Sequence, residues 1–426
     1  MPITTAHLLK KLKLLTSSKK LLVGYSGGLD SHVLLHALAP LINSSQGFQI
    51  RAVYIDHGLQ SIATQWAQHC LAICNNLSIH CDVIPLQLTI PQGESLEAVA
   101  RKARYHAFSE ILQEDEILLT AHHQDDQAET LLIQLFRGAG INGLAAMPMI
   151  TTFAKAQHLR PLLDQSRQEL EHYAQLNRLD FIEDPSNQDQ HYDRNFFRHT
   201  IIPRLKKRWS SMGKVLARVA QHQAEAKSLL AEYIAEDLPL LTGKRAGTLS
   251  IQKLKLLSIA RRKAIIRYFL DQKGFLAPSE KKLKHIISNV LNARQDATPF
   301  VHWPGVEVRR YQDDLYAIPP LSAHDERQII RWNVNQSLQI PSLNRILKFK
   351  HLEAIHPLLL NKDQTVEVRF RQGGEKIYQA QRNCTQSLKK IFQQRNIPTW
   401  ERNRIPLIYI DNTFILILWN NKRVKK

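Results

Sequence analysis

Gly24-Tyr25-Ser26-Gly27-Gly28-Leu29-Asp30-Ser31 is the stretch that decides how the chain is read. Lys19-Lys20-Leu21-Leu22-Val23 precedes it, short and apolar enough for a buried strand. His32-Val33-Leu34-Leu35-His36-Ala37-Leu38 follows, with apolar residues at helical spacing. The motif therefore falls on a strand-to-helix turn. Paired glycines allow a sharp turn and leave the backbone amides open to a ligand. The helix start adds free N–H groups and the positive end of a dipole, which suits a phosphate. Asp30 can hold a metal that bridges phosphates, and Ser26 and Ser31 carry hydroxyls.

The pattern G-x-x-x-x-G-K-[ST] is absent, so this is not a Walker loop. The stretch resembles the PP-loop of ATP pyrophosphatases, which cut ATP between its α- and β-phosphates and adenylate an oxygen. Around it, strand-like and helix-like segments alternate through residues 20–150. Strands are expected at Phe48–Ile55, Ser78–Leu86 and Glu116–Thr120, and helices at Thr64–Cys74, Glu94–Gln113 and Gln124–Phe136. Such alternation predicts an α/β fold with a doubly wound parallel sheet. Ligands of these sheets bind at the carboxyl ends of the strands.

Past residue 205 the pattern changes. Lys214–Ala235, Ser258–Gln272 and Ser279–Leu291 read as amphipathic helices with basic outer faces, and Val306–Ala317 reads as a hairpin. Polar residues from Trp332 to Asn344 suggest a linker. The last segment reads as mixed, with strands at Val366–Phe370, Leu407–Tyr409 and Thr413–Trp419, a helix at Thr385–Arg395, and a tail from Lys422 expected to fray. The division expected is 1–205 for ATP and catalysis, 206–335 for a mainly helical basic domain, and 345–426 for a small α+β domain.

Charge separates these parts. The 426 residues carry a formal net charge of +19. Residues 1–200 hold 16 Lys and Arg against 20 Asp and Glu, net −4; the remainder hold 41 against 18, net +23. That segregation points to a polyanionic partner, most simply nucleic acid. No apolar run reaches the roughly 18 residues of a membrane helix. The first residues lack the order of a signal peptide, so a cytoplasmic protein is expected. Cys70, Cys74, Cys81 and Cys384 have neither C-x-x-C nor zinc spacing and read as reduced and structural.

Further motifs fall at predicted strand ends. Tyr54-Ile55-Asp56-His57-Gly58-Leu59 puts Asp56 where such folds meet a ribose or adenine. In Ala100-Arg101-Lys102-Ala103-Arg104-Tyr105, Arg101 and Arg104 share a helix face suited to phosphates or to solvent. In Ala121-His122-His123-Gln124-Asp125-Asp126-Gln127-Ala128-Glu129-Thr130, Asp126 and Glu129 share a face fit for an amine or a metal. Arg137-Gly138-Ala139-Gly140-Ile141-Asn142-Gly143-Leu144 is a glycine-rich loop that suits a lid or an opening for substrate. Asp184-Pro185-Ser186-Asn187 and Asp193-Arg194-Asn195-Phe196-Phe197-Arg198 mix groups that can contact splayed RNA bases.

Taken in order, these motifs, with Arg160-Pro161-Leu162-Leu163 and Val368-Arg369-Phe370-Arg371-Gln372-Gly373-Gly374, resemble the long form of the tRNA(Ile)-lysidine synthetases across nearly the whole chain. The resemblance implies that ATP adenylates the 2-oxygen of the wobble cytidine in a tRNA(Ile) with a CAU anticodon. The amine of free L-lysine then displaces AMP to leave lysidine, which changes codon specificity from AUG to AUA. It implies that Ser26, Gly27, Gly28, Leu29, Asp30 and Ser31 bind ATP with Asp56, that Asp30 works with Mg²⁺, and that Asp126 and Glu129 hold lysine. It also implies tRNA contacts at Arg101, Arg104, Arg194, Asn195, Arg198, Lys389 and Lys390, in a monomer or homodimer. Gln60 departs from the family, many members of which have Arg there.

Competing readings fit less well. A PP-loop tRNA thiolase needs catalytic cysteines or an iron–sulfur cluster, for which the cysteine spacing is wrong. An amidotransferase-type synthetase needs a glutaminase domain or an N-terminal cysteine. A non-catalytic RNA-binding protein has no use for an intact phosphate loop and carboxylate cluster.

Overall fold

The structure, a computed structural model, describes residues 3–58, 63–91, 95–294, 297–333, 336–348, 366–379, 384–419 and 422–425. Gln60 lies outside them. The chain divides into two compact units, Met1–Leu230 and Ala231–Lys426.

The first unit is built on a six-stranded sheet. In chain order its elements are α1 (Thr5–Leu15), β1 (Lys20–Gly24), α2 (Leu29–Leu38), β2 (Gln49–Asp56), α3 (Ala63–Asn76) and β3 (His80–Pro85). Then come α4 (Leu96–Ile111), β4 (Glu116–Leu119), α5 (Gln124–Phe136), α6 (Ile141–Leu144), β5 (Ile150–Phe153), β6 (Ala156–Leu159) and α7 (Arg167–Leu176). The strand order is β3-β2-β1-β4-β6-β5. All neighbours are parallel except β5 with β6.

The middle strands are apolar on both faces because helices cover both: Leu21, Leu22 and Val23 of β1 are buried, as are Leu118 and Leu119 of β4. Connectivity reverses at β1, whose neighbours are β2 on one side and β4 on the other. The crevice at the carboxyl ends of β1 and β4 is thus the topological switch point where ligands bind. At the opposite edge, Arg51 of β2 ties three strands together. Its Nε and Nη2 are each 2.7 Å from the Glu116 carboxylate of β4, and its Nη1 is 2.6 Å from Asp82 Oδ2 of β3.

After α7 the chain runs through α8 (Asp193–Phe196), a π-helical turn (Phe197–Ile201), α9 (Ile202–Arg208) and α10 (Met212–Asp237). Ile202 and Met212 pack with Ala128 and Leu132 of α5, with Phe197 and Leu205 against them. This apolar contact carries the 193–201 segment to the face of α5 that bears the carboxylates.

The second unit continues with β7 (Leu249–Ser250), α11 (Ile251–Leu256), α12 (Ile259–Gln272), α13 (Glu280–His285), β8 (Phe300–Trp303), β9 (Val306–Tyr311) and β10 (Asp314–Ile318). A π-helical turn, Ile286–Leu291, extends α13, and the strands form a sheet β7-β10-β9-β8. Beyond it lie β11 (Ile330–Trp332), β12 (Leu338–Ile340), β13 (Arg345–Leu347), β14 (Val366–Arg369), β15 (Lys376–Gln379) and β16 (Cys384–Ser387). The chain then forms α14 (Leu388–Gln394), α15 (Thr399–Arg402), β17 (Leu407–Ile410), β18 (Thr413–Trp419) and β19 (Lys422–Lys425).

Three expectations need correction here. The stretch read as a linker is anchored: Trp332 and Ile340 are buried in one apolar cluster, and β12 pairs with β13. Two large apolar side chains outweigh the polar residues between them. The tail pairs with β18 as β19 rather than fraying. Residues 385–387, read as the start of a helix, pair with β15, and the helix begins only at Leu388.

Candidate active site

The phosphate loop is shaped by what lies behind it. Gly27 has φ of +75°, and a Cβ there would sit 2.5 Å from Ile182 Cδ1 and 2.9 Å from Cys70 Sγ. At that φ an L-residue is strained, and its Cβ would have to displace the Ile182 and Cys70 side chains. The Ile182 N–H donates to the Gly27 carbonyl at 2.9 Å, which fastens the turn to the 180s loop. Ser31 donates to the Gly28 carbonyl at 3.0 Å and accepts from the Ser26 N–H at 3.1 Å. With its hydrogen so committed, Ser31 Oγ accepts the Ser26 hydroxyl, 3.1 Å away. Ser31 is therefore a brace of the turn. Gly28 is the N-cap of α2 and offers no side-chain cap, so the amides that open α2 stay available to an anion.

Asp30 projects from the first turn of α2. Arg167 Nη1 lies 2.6 Å from its Oδ1, and His123 Nε2 lies 3.6 Å from its Oδ2. Arg167 escaped the sequence reading. Ser166 and Glu169 form a capping box that opens α7 and sets Arg167 at its first position, but nothing local links it to a residue 137 positions earlier. Asp56 ends β2 and accepts from the Gly58 N–H at 2.8 Å, so its carboxylate helps hold the turn after the strand.

The geometry of the second motif centres on His123, the N-cap of α5. Its side chain accepts from the Asp125 N–H at 3.2 Å, while Asp126 Oδ2 accepts from its backbone N–H at 3.0 Å. His123 Nε2 also lies 3.5 Å from Asp126 Oδ2. One imidazole thus stands between the phosphate-loop carboxylate and the carboxylate of α5. Burial disfavours its charge, but Asp126 and Asp30 outweigh burial and raise its pKa above the ordinary histidine value.

Asp126 and Glu129 share a face as expected, yet neither is bare. Arg194 Nη2 is 2.7 Å from Asp126 Oδ1 and its Nε is 2.8 Å from Glu129 Oε2. Arg198 Nε is 2.6 Å from Glu129 Oε1 and its Nη2 is 3.1 Å from Asp126 Oδ1. Glu129 is 1% exposed and Asp126 6%. Burial alone would raise the Asp126 carboxyl, but His123 and Arg194 hold it well below the usual carboxylate range. The same pairing raises Arg194 further above its already high value despite its burial. The product is a buried cluster that carries both signs and is nearly balanced.

Arg194, Arg198 and Asn195 were expected at RNA. In this structure both arginines turn inward onto the carboxylates, and Asn195 Nδ2 donates to Ser186 O at 3.2 Å and Asp189 O at 2.9 Å within its own loop. Arg101 is exposed, with its guanidinium 5.0 Å from the centre of the Tyr105 ring. Arg104 is half-buried, and its Nε has no hydrogen-bond partner. Lys389 and Lys390 are exposed on α14, whose inner face buries Leu388, Ile391 and Phe392. Among the described residues no group of three His, Cys, Asp or Glu side chains is arranged to hold a metal. No described helix is long and apolar enough to cross a membrane.

Residues 3–205 match the PP-loop domain family, 249–316 match the TilS substrate binding domain and 366–419 match the TilS substrate C-terminal domain. The phosphate loop at the switch point and the first of these matches define an ATP-using enzyme of the PP-loop class. The chain is 40% identical over 97% of its length to a tRNA(Ile)-lysidine synthase of Coxiella burnetii, covering 92% of that protein. It is 39% identical to those of Legionella pneumophila (strain Lens), over 94% of this chain and 91% of that one, and Histophilus somni (strain 129Pt), over 96% of each. The chain belongs to the tRNA(Ile)-lysidine synthase family.

Proposed function

We propose that the protein joins free L-lysine to the 2-position of the wobble cytidine of a tRNA(Ile) with a CAU anticodon, at the expense of ATP. The observation that carries this reading is the adjacency of a phosphate loop and a carboxylate–guanidinium cluster, linked through His123. In the first step the cytidine 2-oxygen attacks the α-phosphorus and pyrophosphate leaves. The amides at the start of α2 and the Gly27-Gly28 turn hold the phosphates. Asp30, which Arg167 orients, would hold Mg²⁺, and the ion would supply charge that offsets the phosphates. Asp56 contacts the ribose or adenine.

In the second step a lysine amine forms a bond to C2, AMP leaves with the former 2-oxygen, and the amine gives up a proton. Asp126 and Glu129 hold the ammonium of lysine. A cluster that carries both signs also suits the carboxylate of an amino acid, for which Arg194 and Arg198 are bidentate partners. We assign tRNA to the basic residues beyond 205, with Lys389 and Lys390 among its contacts, and to Arg101 and Arg104 near the site.

The test is mass analysis of the tRNA after incubation with ATP and each amino acid in turn. A lysine-dependent mass gain on the CAU tRNA, with release of AMP and pyrophosphate, is the expected result. A gain with sulfur donors instead, or none with lysine, would refute the reading.

A further inference from the structure

Thr120 follows β4 and meets two imidazoles. Its Oγ1 lies 2.7 Å from His122 Nδ1 and 2.7 Å from His158 Nε2. The other nitrogen of His158, Nδ1, lies 3.1 Å from Arg160 Nη2. These contacts have only one consistent direction. A guanidinium has no acceptor, so Arg160 donates and His158 Nδ1 accepts. The proton of a neutral His158 is then on Nε2 and goes to Thr120 Oγ1. The hydroxyl hydrogen of Thr120 points on to His122 Nδ1, and the proton of His122 is left on Nε2.

The chain is anchored at its source. Arg160 also donates through Nη1 to the Pro148 carbonyl at 2.7 Å. Arg160, His158 and Thr120 are all buried, with His158 1% exposed. Burial, joined by the nearby Arg160, keeps His158 neutral, its pKa pushed down to about 3. Burial likewise pushes His122 down to about 3, although Asp126 works the other way. Among the described residues no group hydrogen-bonds His122 Nε2. That nitrogen is not among the buried unpartnered atoms either, and His122 is partly exposed. It stands at the carboxyl edge of the sheet, one residue before His123. The two neighbours differ in setting: His123 lies between two carboxylates that raise its pKa, and His122 is tied into the relay.

We propose that Arg160, His158 and Thr120 lock His122 as an Nε2–H donor that gives a hydrogen bond to an oxygen of the substrates in the cleft. This rests on the reading of the reaction given above. Arg160, Arg194 and Arg101, in that order, are the cations that act on His122, and they favour an electron-rich oxygen: a phosphoryl oxygen of ATP or the carbonyl 2-oxygen of the cytidine. With Nε2 already protonated and Nδ1 occupied, His122 does not serve as a base. At a phosphoryl oxygen it stabilises the charge that develops there, at the 2-oxygen it orients the attacking atom, and the other three are positioning residues.

The test begins with protein labelled with ¹⁵N in its histidine rings, and His122→Gln identifies the His122 signals. The expected spectrum has His122 and His158 as neutral Nε2–H tautomers. Thr120→Val should convert His122 to a tautomer mixture and lower kcat about 10-fold, and Thr120→Ser should restore both. His122→Leu should lower kcat about 10²-fold, the cost of one lost donor at a reacting oxygen. Equilibrium binding of ATP without tRNA tells the two oxygens apart. Weaker binding in His122→Leu identifies the phosphoryl oxygen; unchanged binding with slower adenylation of tRNA identifies the base oxygen. An Nδ1–H or charged His122 in the wild type overturns the proposal. So does an unchanged kcat in His122→Leu, or in a Thr120→Val protein with altered tautomers. If Thr120→Val does not fold, the wild-type tautomers and the His122→Leu rates still decide. A wild-type protein that makes no lysidine refutes the reaction assigned above and leaves the tautomer result standing.

Discussion

Arg194 sits against Glu129 with 2.8 Å between Nε and Oε2, and it spans to Asp126 with its Nη2. A guanidinium thus already occupies the carboxylates assigned to the lysine ammonium. Glu129→Gln or Asp126→Asn should therefore have two effects. The apparent KM for lysine should rise strongly while adenylation of tRNA persists, so adenylated tRNA accumulates. Stability should also fall, by up to about 3–5 kcal/mol, because a buried partner is left unmatched. Separate assays of the two half-reactions across lysine and Mg²⁺ titrations check this. Loss of the first half-reaction, rescued by Mg²⁺ and not by lysine, would reassign these carboxylates to the metal.

Asp30→Ala should abolish pyrophosphate release and leave tRNA binding nearly intact, since the carboxylate faces the phosphate turn and Arg167. Gly28→Val should do the same by placing a branched side chain at the N-cap of α2, between the amides and the phosphates. Gly27→Ala should be the more damaging at the level of folding, because its Cβ has no room. Pyrophosphate release and tRNA filter binding, measured side by side, separate these effects; an equal loss of tRNA affinity in Asp30→Ala would contradict the division of labour.

Arg51 offers the opposite case. It joins β2, β3 and β4 at the edge away from the site. Glu116, its main partner, is buried. Arg51→Met should strand that carboxylate and cost about 3 kcal/mol or more. Below the melting transition, kcat and both substrate KM values should remain near wild type. A kinetic defect without a stability defect would show that the edge communicates with the site.

Acid should destabilise the first unit before ordinary carboxylates titrate. His57, His122 and His158 are held neutral, with pKa values pushed down to about 4, 3 and 3, burial being the largest cause in each. In the unfolded chain they titrate near 6.5. Between about pH 6.5 and 4 the unfolded state therefore binds more protons, and stability falls as pH falls. Asp126, held low, adds its loss only further down. His123 runs the other way: with a raised value, its contribution is full below about 6.5 and fades as pH rises through its folded pKa. Urea midpoints from pH 7.5 to 4.5 check the sum, which should show net proton uptake on unfolding across the acid half.

Binding of tRNA should weaken steeply with salt, given the +23 carried beyond residue 200. Neutralising Lys389 and Lys390 together should lower the slope of log K against log salt by roughly one per lost phosphate contact. An unchanged slope would remove these two exposed lysines from the interface.

Much of this was readable in the chain. Gln124–Phe136 is a helix with the bounds expected of it, since a capping His and two early carboxylates mark its start. The 306–317 hairpin was equally legible from its alternation and its Gln312-Asp313 turn. β5 and β6 were not: they are four residues each, partly polar, and owe their strand form to pairing at the sheet edge. Asp126 and Glu129 could be put on one face by spacing, but their closure by Arg194 and Arg198 depends on the packing of Ile202 and Met212 on α5. Local pattern carries no record of such a contact. The Thr120 relay is similar, because His158 belongs to a strand that sequence did not reveal and Arg160 directly follows it.

The seat of Gly27 also bears on chemical inhibition. A compound that mimics the triphosphate and leans on this turn would press on a residue of positive φ whose Cβ would meet Ile182 and Cys70. Resistance by substitution at that position would strain the backbone and displace the Ile182 and Cys70 side chains. Escape variants selected against such a compound should then fall outside Gly27, at residues that touch the compound and not the nucleotide.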